Sequence, residues 1–213
     1  DHFNLSEWKR HFDQFLDEAD VLDHVLWNPK DVKRLVQEHR NHVAQLAGEL
    51  AESPPKPTLL MVRDLAANAR RRFERGSPEE AVAVCYRAIE AIAQARLYET
   101  YGIRTDQVPW DRLPAKLQSR HPRPVDGKVV KLGLQDSYAW LVANGDALGR
   151  RFQELSLADR KKSPLVARNQ SILAHGFQAT GEEIFEKLFQ ALLDLGGLGR
   201  EDLDKLRFPR LEV

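Results

Sequence analysis

Ser77-Pro78-Glu79-Glu80-Ala81-Val82-Ala83-Val84-Cys85-Tyr86-Arg87-Ala88-Ile89-Glu90-Ala91-Ile92-Ala93-Gln94 decides the fold class of this chain. Ser77 suits a helix cap and Pro78 the first helical position, where a missing N–H is not needed. Glu80 stands three residues after Ser77, the spacing of a capping box in which it reaches back to the cap. Val82, Cys85, Ile89 and Ile92 repeat at three and four and mark a buried stripe. The pattern predicts one long helix ending near Gly102. Immediately upstream, Thr58 leads into a helix through Leu59, Val62, Leu65, Ala69 and Phe73, ended by Gly76. Only a tight turn separates the two, so they are expected to pack antiparallel.

Helical periodicity continues outward from this hairpin. Ser6 opens a helix with Trp8, Phe12, Phe15, Leu16, Leu22, Val25 and Leu26 at helical spacing. Asn28 caps a second, with Pro29 at its first position and Val32, Leu35, Val36, Val43, Leu46 and Leu50 as its stripe. Ser53-Pro54-Pro55-Lys56-Pro57 is the clearest linker. It separates an N-terminal helical segment, residues 1–52, from a helical domain, residues 58–213. From Ile103 to Leu132 the chain is irregular and proline-rich; it reads as a short helix around Asp111 to Ser119 followed by a surface loop. Helices are then expected over Leu134 to Ala143, with Tyr138, Leu141 and Val142 inward, and near Asp146 to Leu155. Thr180 with Glu183 makes another capping box, opening a helix through Ile184, Leu188, Ala191 and Leu195 that Gly196-Gly197 ends. A last helical turn covers Glu201 to Leu206. Val129-Val130 is too short to count as a strand, no glycine-rich phosphate loop stands out, and no Cys/His spacing fits zinc. The fold class is all-α, an antiparallel helical bundle with extra N-terminal helices.

Composition narrows the setting. The 213 residues are 42% hydrophobic, enough for a core, and none of the apolar runs approaches the length of a membrane span. The single cysteine, Cys85, excludes an intramolecular disulfide and reads as core. No signal peptide is visible, so a cytoplasmic protein is the expectation, with no membrane partner. The start at Asp1 suggests a piece of something longer. Lys and Arg balance Asp and Glu at 32 each, so global charge does not announce nucleic acid. Charge is uneven all the same. Arg150, Arg151, Arg160, Lys161, Lys162 and Arg168 face only Glu154 and Asp159. That cluster reads either as a solvated face or as a phosphate-steering patch. Arg70-Arg71-Arg72 with Arg75 sits at a helix end, where cations complement the dipole.

The chemistry concentrates in Ser163-Pro164-Leu165-Val166-Ala167-Arg168-Asn169-Gln170-Ser171-Ile172-Leu173-Ala174-His175-Gly176. Ser163 and Pro164 start a helix and Gly176 stops it. Arg168 and His175 lie seven residues apart, so they share a face roughly 10 Å apart along the axis. An arginine, a neighbouring asparagine and a histidine on one face can hold and cleave a phosphodiester without a metal. Spacing alone is weak: an Arg followed after four to six residues by His arises about twice by chance in this composition. The second instance, Arg34 to His39, lies mid-helix beside Glu38 and Arg40 and reads as a solvated surface. The Arg168 instance also admits a structural reading, with His175 capping a helix C-terminus and Arg168 in a salt bridge.

Arg168-Asn169-Gln170-Ser171-Ile172-Leu173-Ala174-His175-Gly176-Phe177 resembles the signature of HEPN ribonucleases, an Arg, a polar residue and, four to six residues on, His. Ala81 to Gln94, with Tyr101-Gly102-Ile103, is similar to the HEPN portion of CRISPR-associated effectors that join an N-terminal CARF sensor of cyclic oligoadenylate to a C-terminal HEPN nuclease. The similarity covers about Thr58 to Leu195. Residues 1–52 carry helical stripes rather than alternating strands and helices, so the CARF sensor is expected to be absent from this chain.

The resemblance implies roles. His175 would be the general acid/base, with an imidazole's ordinary pKa near 6.5. Arg168 would clamp the phosphate and stabilise its developing charge. Asn169 would orient the phosphate or its partner helix. Ser171 is a possible accessory, though a hydroxyl bonded to its own helix is the simpler reading. Arg160, Lys161 and Lys162 would steer RNA phosphates. The implied nucleophile is the 2′-hydroxyl of single-stranded RNA, giving a 2′,3′-cyclic phosphate with no cofactor and no metal. Two copies meeting across a two-fold axis would complete the cleft, so a homodimer is expected. Cyclic oligoadenylate would act only through the CARF domain. Two other readings stay open: a HEPN toxin of a toxin–antitoxin pair, and a non-catalytic helical interaction module.

Overall fold

The computed structural model describes residues 10–11, 13–14, 29–51, 56–125, 129–159, 165, 181–204 and 206. Eight α-helices occur among them: α1 (Pro29–Leu50), α2 (Leu59–Glu74), α3 (Pro78–Tyr101), α4 (Ala115–Gln118), α5 (Leu134–Ala143), α6 (Ala147–Glu154), α7 (Glu182–Gly196) and α8 (Arg200–Asp204). Strand pairing among the described residues is limited to one antiparallel bridge, between Val108 and Val130. The fold is all-α. The chain divides into two compact units, one spanning Pro57–Leu198 and the other Asp1–Lys56 with Gly199–Val213.

The larger unit is built around α3. Helix α2 begins where Thr58 Oγ1 accepts from the Met61 amide at 3.3 Å. It ends at Gly76, whose φ of +76° suits a residue without a Cβ. The turn into α3 departs from the expected capping box. Ser77 makes no side-chain cap, and Glu80 pairs with Arg72 of α2. A guanidinium outcompetes a neutral amide for a carboxylate, so the box gives way to a bridge across the hairpin. The buried face of α2 is Val62, Ala66, Ala67 and Ala69, whereas Leu59, expected in the stripe, is 49% exposed at the open first turn.

Helix α3 buries far more than a stripe. Ala81, Val82, Cys85, Ala88, Ile89, Ala91, Ile92, Ala93, Ala95 and Leu97 are all buried. It packs against α2, α5 and α7 and is covered from several sides. Small alanine side chains let those neighbours approach closely. Gly102, at φ +62°, closes α3 as expected: its amide donates to the Tyr98 carbonyl, and the Ile103 amide to that of Leu97. Phe73 of α2 stacks on Phe185 of α7 at 4.1 Å, and Phe185 lies 5.2 Å from Phe189, so α2 and α7 also meet.

The proline-rich segment is not a plain surface loop. It holds a 3-10 turn, Trp110–Arg112, then α4. Val108, Leu113, Leu117, Val130 and Leu132 are buried. Trp110 Nε1 donates to the His121 carbonyl and Trp140 Nε1 of α5 to the Arg112 carbonyl, each at 2.9 Å. These bonds satisfy backbone that prolines leave without helix partners.

In the smaller unit, Val36, His39, His42 and Leu46 form the buried face of α1. His39 was expected on a solvated face; it is 5% exposed, and its Nε2 donates to the Leu206 carbonyl at 2.8 Å. The three- and four-residue spacing of these positions explains it: the two histidines complete the apolar stripe. The predicted helix from Ser6 falls mostly outside the described residues.

Candidate active site

Arg168, Asn169, Ser171 and His175, with Arg160, Lys161 and Lys162, lie outside the described residues. Between them Leu165 is described; it is helical and buried. The described structure supplies the frame that holds both ends of this stretch.

Helix α6 delivers the chain to it. Asp146 caps α6, accepting from the Leu148 amide at 2.8 Å. Past Glu154 the chain turns through Ser156, a non-glycine residue at φ +57°. The Ser156 amide donates to the Gln153 carbonyl and the Leu157 amide to that of Phe152, and Leu157 is buried. Helix α7 takes the chain up again at Glu182, with Gly181 at the cap position. Thr180 of the predicted capping box lies outside the described residues, and Glu183 pairs with Lys187 at 2.7 Å, an i,i+4 pair along the exposed face.

An arginine fork joins the two flanking helices. Arg151 of α6 donates through Nε to Asp194 of α7 at 2.8 Å and through Nη2 to the other carboxylate oxygen. Its Nη1 donates to Glu154 at 3.0 Å. The bond from Arg151 holds the Asp194 carboxyl below its ordinary range, and the Asp194 bond raises the Arg151 guanidinium in turn. Arg151, read from the sequence as part of a basic patch, is therefore bound to two carboxylates. Arg150 donates to the Gly145 carbonyl at 2.5 Å.

A second network ties α6 to the end of α3. The Asp146 carboxylate, 1% exposed, also accepts from Arg96 Nε at 2.9 Å and from the Tyr101 hydroxyl at 2.8 Å. Burial alone would raise this carboxyl; the bonds from Tyr101, the Leu148 amide and Arg96 outweigh it and hold it low. The sequence pointed to a helix start at Asp146 but gave no sign of its partners, which are 50 and 45 residues away. Cys85 is buried, and burial pushes its thiol far up, which excludes a thiolate nucleophile. Among the described residues, no three His, Cys, Asp or Glu side chains cluster as metal ligands do. No described helix is long and apolar enough to cross a membrane.

A central helix packed against α2, α5 and α7, with a capped α6 ahead of the Arg168 to His175 stretch in the sequence, makes an all-α domain. The chain matches the family described as Csm6 HEPN domain over residues 51–197, and it belongs to that family, a CRISPR-associated one. The match includes both the long helix and the whole Arg168 to His175 stretch. Neither the curated proteins nor the solved structures gave a match.

Proposed function

We propose that this chain is the endoribonuclease domain of a CRISPR antiviral effector and that it cuts single-stranded RNA. The observation that carries the proposal is the family match across residues 51–197, which spans Arg168, Asn169 and His175. Arg168 clamps the scissile phosphate and stabilises the charge that develops on it. Asn169 orients the phosphate or the facing helix. His175 takes the proton from the RNA 2′-hydroxyl or gives one to the departing 5′-oxygen. Attack by the 2′-oxygen forms a new bond to phosphorus as the bond to the 5′-oxygen breaks. The products are a 2′,3′-cyclic phosphate and a 5′-hydroxyl, and no metal is needed.

One arginine and one histidine make a sparse site. Two copies related by a two-fold axis would place two such helices on one RNA strand, so the active form is a homodimer in the cytoplasm. Cyclic oligoadenylate would reach the site only through a CARF domain elsewhere in the full protein. The fork of Arg151 on Asp194 supports this reading, because it gives the motif-bearing segment fixed points of departure and return.

The decisive assay follows cleavage of a labelled single-stranded RNA in EDTA. Wild type is expected to cut it to products ending in cyclic phosphate. His175→Ala and Arg168→Ala are each expected to lose about 10²-fold or more in rate. Equal rates in all three proteins, or dependence on divalent metal, would refute the proposal.

A further inference from the structure

The charge of the proline-rich segment has a use beyond the active site. Between Ile103 and Leu132, seven Lys and Arg stand against three Asp, in a chain whose net charge is zero. Several of these cations are committed. Arg104 pairs with Asp106, Arg123 with Asp111, and Arg120 with Asp136, at 3.1 to 3.3 Å. Lys116, on α4, is exposed and has no ion pair among the described residues.

Lys116 stands at a cavity of about 310 Å³ between α4, α5 and α6. That is the small end of the range for ligand sites, enough for one ring system rather than for a large molecule. Ala139, Val142, Ala143 and Ala158 make its apolar wall, backed by Tyr138 of α5 and Phe152 of α6, which are buried and stack on each other at 3.8 Å. The Tyr138 hydroxyl is buried and gives its proton to the Ile89 carbonyl at 2.9 Å, so it does not donate into the cavity. Gln135 and Gln153 bring amides, and Lys116 brings positive charge, while Arg120 at the same cavity is held by Asp136. The Gln135 amide nitrogen donates to the Leu157 carbonyl at 3.3 Å, which leaves its oxygen as an acceptor. Gln153 is exposed and carries both a donor and an acceptor.

We infer that this cavity seats one unpaired nucleotide of the RNA strand, with the base in the cavity and its phosphate on Lys116. The chemistry is complementary part by part. A base has a flat apolar body for the alanine and valine wall and hydrogen-bonding edges for the glutamines. Its phosphate supplies the charge that Lys116 lacks. A duplex keeps its bases stacked inside, so the occupant is single-stranded. The inference rests on the RNA reading above and adds to it a binding subsite built from residues outside the Arg168 to His175 motif.

The test uses the full chain carrying His175→Ala, so that the RNA stays whole, and a fluorescein-labelled single-stranded RNA of about ten nucleotides, a length within single-strand site sizes. Fluorescence anisotropy is read over a series of salt concentrations. Lys116→Glu is expected to weaken binding about tenfold and to flatten the salt dependence by about one ion. Ala143→Trp fills the cavity mouth from an exposed position at the end of α5 and is expected to weaken binding comparably. Unchanged binding in both variants, or no binding by the parent, overturns the inference. So does a loss in Lys116→Glu alone, because the lysine then adds only to a diffuse field. Cleavage by the wild-type chain is scored separately. Active enzyme with unaffected variants removes the subsite alone; inactive enzyme whose variants lose binding removes the nuclease reading alone.

Discussion

The α2–α3 hairpin and the proline-rich segment after it lie side by side in the chain and are held together by different forces. The hairpin rests on apolar burial: Val62, Ala66 and Ala69 of α2 and ten residues of α3 are closed from water. Among the described residues of the segment from 103 to 132 six aliphatic side chains are buried, and much of its backbone is fixed one bond at a time. Two indole N–H groups, from Trp110 and Trp140, each hold a carbonyl. Val108 and Val130 exchange amide bonds at 3.0 and 2.9 Å. Distributed burial tolerates the loss of a polar contact, whereas pointwise fixing tolerates the loss of a methyl group.

Three substitutions grade that difference. Ile89→Ala, at the fully buried centre of α3, is expected to cost about 2–5 kcal/mol. Thermal unfolding followed by circular dichroism measures it; a cost under 1 kcal/mol would deny α3 its central place. Asp146→Ala is expected to cost about 1.5–3 kcal/mol, since it strips an acceptor from Tyr101, Arg96 and the Leu148 amide. The pH dependence has a definite sign. A carboxyl held below its ordinary range contributes stability above its unfolded pKa and loses it as pH falls through the folded value. Wild type should therefore lose stability below about pH 4 more steeply than Asp146→Ala. Parallel curves would mean that the carboxylate gains nothing from its partners. Trp140→Phe keeps an aromatic ring while removing the indole N–H bond to the Arg112 carbonyl, and is expected to cost about 1 kcal/mol or somewhat more. Hydrogen exchange should locate that loss between 103 and 132 and leave α2 and α3 protected; a loss spread through α3 would merge the two regions.

The same contrast governs what could be read from the sequence. Helix ends marked by local chemistry were legible: Thr58 before α2, Gly76 and Gly102 at φ above +60°, Asp146 before α6. Where a distant group competes, local chemistry misled. Glu80 should have closed a capping box, but Arg72 of the facing helix holds it. His39 looked polar and solvated, yet a carbonyl 167 residues away receives its ring N–H. The wrapping of α3 was underestimated because a stripe of four residues cannot reveal how many neighbours the alanines admit. For the candidate site, Arg168 to His175 was legible as a local motif, and its residues lie outside those the structure describes. The Lys116 cavity was not legible, because α4, α5 and α6 contribute to it from residues 116 to 158 at no regular spacing.

The order of synthesis gives the enclosure of α3 a further meaning. Synthesis delivers α2 and α3 before α5, and α5 before α7, which is free only after Gly196 has left the ribosome. Until α5 follows, α3 has only α2 beside it, and until α7 follows, one of its buried sides stays open. Closure of this core is thus committed late, at the last helix that packs on α3.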